Sequence, residues 1–147
     1  MSTDSETQSP AVTETQVLEF QLGSERYCVD IEYVAEIVDQ DDLTQIPNSP
    51  PHVEGVMDLR GRTTSIVDPA KVFDIHDTND DQRIVVFDPK AMGDQGAVGW
   101  LVDEVDQVSR VSGDEIDDAP IDDDSIRGII KRERDFVIWV HPTAVTL

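Results

Sequence analysis

From Val17 onward apolar and polar positions alternate. Leu18, Phe20 and Leu22 alternate with Glu19 and Gln21; beyond Gly23-Ser24-Glu25-Arg26, Tyr27, Val29 and Ile31 alternate with Cys28 and Asp30. A period of two on either side of a Gly-containing turn predicts a β-hairpin. From Asp30 the spacing lengthens. Ile31, Val34, Ala35 and Val38 fall on one helical face, and Asp30 is placed as an N-cap, so a two-turn helix is expected, with Glu36 on its polar side. Residues 43–46 are expected as a further strand, before a loop stiffened by Pro47, Pro50 and Pro51. Residues 56–59 and 63–67 read as two short strands around the tight turn Arg60-Gly61-Arg62, in which Gly61 can take a positive φ. Asp68-Pro69 is a cap followed by a first-turn proline, which predicts one helical turn over 70–73.

Residues 74–81 are an acidic connector, after which residues 83–87 and 97–102 read as strands separated by a turn at 93–96. Val105, Val108 and Val111 recur every third position, which suits neither ideal period and points to a twisted or bulged strand. Ser112 with Glu115 has the spacing of a capping box. Residues 126–130 and 136–140 flank a charged loop at 131–135, a final hairpin, and residues 141–147 are a short tail. Residues 1–16 are too polar to bury anything and are expected as a disordered acidic leader. The whole pattern is all-β, apart from short helices after the first hairpin and near Asp68.

Charge narrows the function. Lys and Arg total 11 against 32 Asp and Glu, a formal net charge of -21, so a nucleic-acid backbone would be repelled. The acids are spread over nearly every turn. Self-repulsion of that size is screened in concentrated salt, which points to the cytoplasm of a salt-accumulating halophile; an ordinary acidic protein kept soluble by its charge is the alternative. One cysteine, Cys28, allows no intramolecular disulfide. No apolar run is long enough to span a bilayer, and the N-terminus lacks a signal-peptide pattern, so a cytoplasmic chain is expected.

Convergent chemistry is not apparent. His52, His76 and His141 lie in separate loops, there is no phosphate loop and no nucleophile elbow, and acids are too abundant for any pair to be informative. A calcium loop at 74–81 lacks its glycine and its bidentate glutamate, since Gln82 and Asp88 stand there. Neither an enzyme nor a metal or cofactor site is expected. Arg60 at a hairpin tip could hold a partner's carboxylate with five donors on a stiff support. An arginine beside a glycine turn can equally be solvated, and the segment alone leaves both open.

The order of Phe20-Gln21-Leu22-Gly23, Tyr27-Cys28-Val29-Asp30-Ile31, Val34-Ala35-Glu36-Ile37-Val38, Val53-Glu54-Gly55-Val56-Met57-Asp58-Leu59-Arg60-Gly61, Ile66-Val67-Asp68, Val98-Gly99-Trp100-Leu101-Val102-Asp103-Glu104-Val105 and Ile126-Arg127-Gly128 resembles the CheW-like domain family. The match covers residues 17–140. It implies two five-stranded barrels of the Src-homology-3 type around a shared core, here joined near 74–82. It also implies an adaptor between methyl-accepting chemoreceptors and the histidine kinase CheA, recruited to membrane receptor arrays. With no response-regulator or kinase segment after Leu147, the stand-alone form of a halophilic archaeon is expected.

By position, the resemblance assigns receptor contact to Arg60 and to Glu36, which the family places on a helix and which can pair with that arginine. Gly99, Val108 and Gly128 match positions lining or supporting the receptor groove between the barrels. Val34 and Gly55 match positions that dock the kinase. Asp58 stands where the family motif has asparagine, Pro69 where leucine is common, and the C-terminal helix is cut short. Two other readings compete: a small acidic β-barrel that binds a ligand or ion, and a paralogue that docks receptors only.

Overall fold

The computed structural model describes residues 14–79, 82–120 and 122–145. Among these residues eleven strands are formed: β1 (Glu14–Leu22), β2 (Glu25–Asp30), β3 (Val34–Asp39), β4 (Val53–Leu59), β5 (Arg62–Val67), β6 (Arg83–Phe87), β7 (Val98–Val102), β8 (Glu104–Ser112), β9 (Ile116–Asp117), β10 (Ile126–Arg132) and β11 (Asp135–Val140). The one α-helix among the described residues, α1 (Pro69–Val72), follows Asp68, whose carboxylate accepts from the Ala70 amide. Short 3-10 turns occupy Ile31–Tyr33, Gly93–Gln95, Gly113–Glu115 and Pro142–Ala144.

The strands make a six-stranded sheet, β9-β10-β11-β2-β1-β8, and a five-stranded sheet, β3-β6-β7-β5-β4. From Glu14 the chain runs in the first sheet, crosses to the second after Asp30 and returns after Val102. Residues 74–82, expected to join two barrels, instead lead from α1 to β6 within one sheet, because β6 pairs with β3 and β7. The barrels expected from the resemblance are not closed by strand pairing among the described residues. Each sheet curls nonetheless, since strands from its two ends share one apolar cluster.

Five strands of each sheet follow one plan. In β8-β1-β2-β11-β10 and in β3-β6-β7-β5-β4, the third of the four pairings is parallel (β2 with β11, β7 with β5) and the others are antiparallel. Register makes the correspondence residue by residue. The row Gln107, Glu19, Cys28, Trp139, Gly128 in one sheet matches the row Glu36, Val86, Gly99, Ile66, Gly55 in the other. Each plan gains a short addition beyond its last strand: β9 along β10, and a single Thr44 to Val56 bridge along β4.

Packing explains the long apolar runs. Phe20, Tyr27, Val85, Phe87, Val98, Trp100 and Val140 fill a core shared by the two sheets, where Trp100 meets Phe20 and Phe87 edge to face. The opposite face of each sheet lines its own interior: Val17, Cys28, Val111, Ile130, Val137 and Trp139 in one, Ile66, Ile84, Val86 and Leu101 in the other. Strands covered on both faces read as near-continuous apolar segments.

Several expectations are corrected. The helix expected from Asp30 is a 3-10 turn followed by β3: β-branched Ile31, Val34, Ile37 and Val38 suit an extended chain, and Asp30 does not cap but pairs with Arg127 at 3.2 Å. Only Thr44 of residues 43–46 pairs as a strand residue. The final hairpin turns over Glu133-Arg134 alone, leaving Lys131 and Arg132 in β10. The expected leader falls outside the described residues up to position 13, but residues 14–16 belong to β1, held by pairing with Ser112, Val111 and Arg110. The bulge read from the valine spacing is present, with Asp106 as the extra residue between Val105 and Gln107 opposite Phe20 and Glu19. In the tail, Val145 is buried in the shared core; residues 146 and 147 lie outside the described residues.

Candidate functional site

The turn between β4 and β5 has two residues, Arg60 (φ 55°) and Gly61 (φ 81°). Two successive positive φ values are those of a hairpin turn whose twist matches its strands, which favours glycine at the second position. This turn holds Arg60 out from the sheet. Its side chain is 76% exposed, and its guanidinium donates Nε to Glu36 Oε2 at 3.1 Å and Nη2 to Glu36 Oε1 at 2.8 Å. Glu36 stands on β3, the edge at the other end of the same sheet. The pair therefore spans the open seam, and the Thr44 to Val56 bridge stitches that seam a second time. Hydrogen bonding to Arg60 lowers the Glu36 pKa below the ordinary carboxylate value, and the same bond raises that of Arg60. Asp58 is exposed beside the turn, and both guanidinium hydrogen bonds go to Glu36.

Register brings three expected site residues into one row. Glu36 lies opposite Val86, Val86 opposite Gly99, Gly99 opposite Ile66, and Ile66 opposite Gly55. Gly99 is buried, and a Cβ there would stand 2.8 Å from Ile84 Cγ2, so it makes room inside the sheet rather than lining a surface. Gly55 (φ 149°) sits at a bulge where a Cβ would overlap the Thr44 carbonyl oxygen; glycine there permits the bridge. Val34 heads β3 opposite Phe87.

Val108 and Gly128 belong to the other sheet. Val108 is 49% exposed on edge strand β8. Gly128 is buried at a bulge of β10, where a Cβ would stand 2.7 Å from Ile116 Cγ2. The open cleft of about 700 Å³ between the sheets is lined by Asp39, Gln40, Asp41, Asp42, Gln82, Arg83, Asp103, Glu104 and Val105, and none of the expected receptor residues is among them.

Two polar centres were not legible from residue spacing. Buried Asp103 accepts from the Gly23 amide at 2.7 Å, the Asn79 amide at 3.2 Å and Gln82 Nε2 at 3.1 Å, tying the first turn to the acidic connector. Glu19, read as a polar-face residue of β1, has 0% exposure and pairs with Arg132 at 2.8 Å. Among the described residues no three His, Cys, Asp or Glu side chains gather as metal donors. No described helix is long and apolar enough to cross a membrane.

A mostly β, two-sheet body with a braced, exposed arginine at a hairpin tip defines a module that works by presenting surfaces. The chain matches the CheW-like domain over residues 16–146 and belongs to that family. It is 29% identical over 138 residues to the chemotaxis protein CheW of Thermotoga maritima, covering 91% of this chain and 89% of that one. It is 28% identical to that of Bacillus subtilis over 90% of this chain and 87% of the relative, and 35% identical to that of Klebsiella aerogenes over 71% and 62%. The crystal structure of the scaffolding protein TtCheW from Thermoanaerobacter tengcongensis superposes with a TM-score of 0.78 at 27% identity, covering 94% of this chain and 90% of that one. The protein is accordingly a chemotaxis coupling scaffold.

Proposed function

We propose that this scaffold is a non-enzymatic adaptor that couples methyl-accepting chemoreceptors to the histidine kinase CheA. It works in the cytoplasm and is recruited to membrane receptor arrays. The observation that carries the reading is the exposed Arg60 fork, fixed by Glu36 across the seam of the five-stranded sheet. An arginine so braced offers a rigid, permanently charged contact to a receptor tip. Gly99 supports that face from inside, the exposed Val108 extends receptor contact to the six-stranded sheet, and buried Gly128 supports that sheet. Val34 and Gly55 serve the kinase side. A receptor's two states then reach the kinase as two sets of contacts with the adaptor, and no substrate is turned over. The even spread of acids behind the net charge of -21 supports a halophilic archaeal source.

Reconstitution tests the reading. CheA, receptor cytoplasmic fragments and this chain are combined in concentrated salt, and kinase autophosphorylation is followed. Receptor-dependent activation is expected only when the chain is present; equal activation without it rejects the adaptor role.

A further inference from the structure

The six-stranded sheet encloses polar side chains where its counterpart is apolar. Register equates Glu19 with Val86, Ser109 with Val38, and Arg132 with Leu59. Val86, Val38 and Leu59 meet in the apolar interior of the five-stranded sheet. At the matching place Arg132 Nη2 donates to Ser109 Oγ at 3.0 Å and pairs with Glu19 Oε2 at 2.8 Å, while Ser109 Oγ donates to that same oxygen. Glu19 comes from β1, Ser109 from edge strand β8, and Arg132 from the end of β10, so the cluster crosses the seam between the two ends of the sheet. Glu19 is wholly buried with Oε1 unpartnered, and Arg132 is 26% exposed.

A carboxylate taken fully out of water is tolerated only with its cation in place. The cluster therefore holds β8 against β1 just past the Asp106 bulge, which interrupts the strand pairing. Val108 immediately precedes Ser109. We infer that Arg132, acting through Glu19 and Ser109, is a positioning residue that fixes β8 and with it the exposed Val108 face used for receptor docking. The inference rests on the receptor reading above and adds to it the residues that hold one part of the docking face in register. Beneath the Arg60–Glu36 pair the interior side of one seam is apolar, whereas the matching place in the other sheet holds a buried polar clasp.

Two variants test this. Arg132→Leu leaves Glu19 buried without its cation; the triple variant Glu19→Val, Ser109→Val, Arg132→Leu copies the apolar seam of the other sheet. Hydrogen exchange of peptides covering 104–112 is compared with those covering 83–87, alongside binding to CheA and to a receptor cytoplasmic fragment. In Arg132→Leu, exchange over 104–112 should rise roughly tenfold or more with 83–87 unchanged, and receptor binding should weaken while CheA binding, through Val34 and Gly55, is retained. The triple variant should return both exchange and receptor binding to within about threefold of the parent. Unchanged exchange over 104–112, or raised exchange with receptor binding intact, overturns the inference. Loss of both partners together overturns it too, since that is general unfolding. If the parent chain itself fails to bind the receptor fragment, the receptor reading falls, and the positioning role for docking falls with it; exchange then reports separately whether the clasp holds β8.

Discussion

Arg60 and Glu36 hold each other across the seam that strand pairing leaves open in the five-stranded sheet, with both guanidinium contacts between 2.8 and 3.1 Å. Because the pair is solvent-exposed, its value lies in the direction it gives the arginine rather than in stability. Arg60→Ala should melt within about 2 °C of the parent yet abolish receptor-dependent activation of CheA. Arg60→Asn separates the turn from the guanidinium, since asparagine suits the positive φ at this position. It should melt no lower than the parent and fail equally in the kinase assay. A variant that keeps full activation removes Arg60 from the docking surface.

Gly55 and Gly128 occupy equivalent bulges but differ in what blocks a side chain. At Gly55 the obstacle is the Thr44 backbone carbonyl and φ is 149°; at Gly128 it is the Ile116 side chain at 2.7 Å, with the Asp117 carbonyl at 3.0 Å. A side chain can rotate away more readily than a backbone can move. Gly55→Ala should therefore cost about 1–3 kcal/mol in urea unfolding, with faster exchange at the Thr44 and Val56 amides. Gly128→Ala should cost less. The reverse order would mean that the Thr44 bridge yields easily.

Local patterns read well wherever one physical cause dominated. The first hairpin, the Asp68-Pro69 start of α1, the Ser112 with Glu115 capping box and the bulge behind the valine spacing are all present. The turn at Arg60 is present but one residue shorter than expected, since Arg62, in β5, pairs with Leu59, and the family resemblance anticipated its partner Glu36, though on a helix rather than on β3. Residues 31–38 misled because Ile31, Val34 and Val38 satisfy a helical spacing, while their β-branched side chains and the pairing of β3 with β6 favour a strand. Glu19 misled for a different reason. Alternation in β1 marks it as outward, but that outward face is itself the interior of a curled sheet, and the arginine that permits its burial lies 113 positions away at the end of β10. No local pattern carries that partnership.

Cys28 faces the same enclosed interior, opposite Glu19 in register. Burial pushes its thiol pKa well up from the ordinary value, and the nearby Glu19 carboxylate adds to the shift. The thiolate needed for disulfide exchange is therefore scarce in the folded chain. An aromatic disulfide reagent should label less than about a tenth of the thiol in native buffer and all of it in denaturing urea, and the labelling rate should follow unfolding. Rapid labelling of the native protein would show that the interior opens without unfolding.

Asp68 is the remaining buried carboxylate with a defined task, capping α1 through the Ala70 amide at 3.1 Å. Burial raises its pKa above the ordinary 3.8, Glu54 and Asp103 add to the rise, and the Ala70 hydrogen bond and Lys71 oppose it. The folded state thus binds this proton more tightly than the unfolded chain does. The stability linked to the group is fully present below 3.8 and is lost as pH rises through the raised value. Asn at this position keeps an oxygen for the cap and removes the charge. Urea midpoints of Asp68→Asn relative to the parent should therefore climb from acid toward neutral pH, because only the parent pays for ionising a buried acid. Curves that run parallel through that window would show that the cap and Lys71 fully offset the burial.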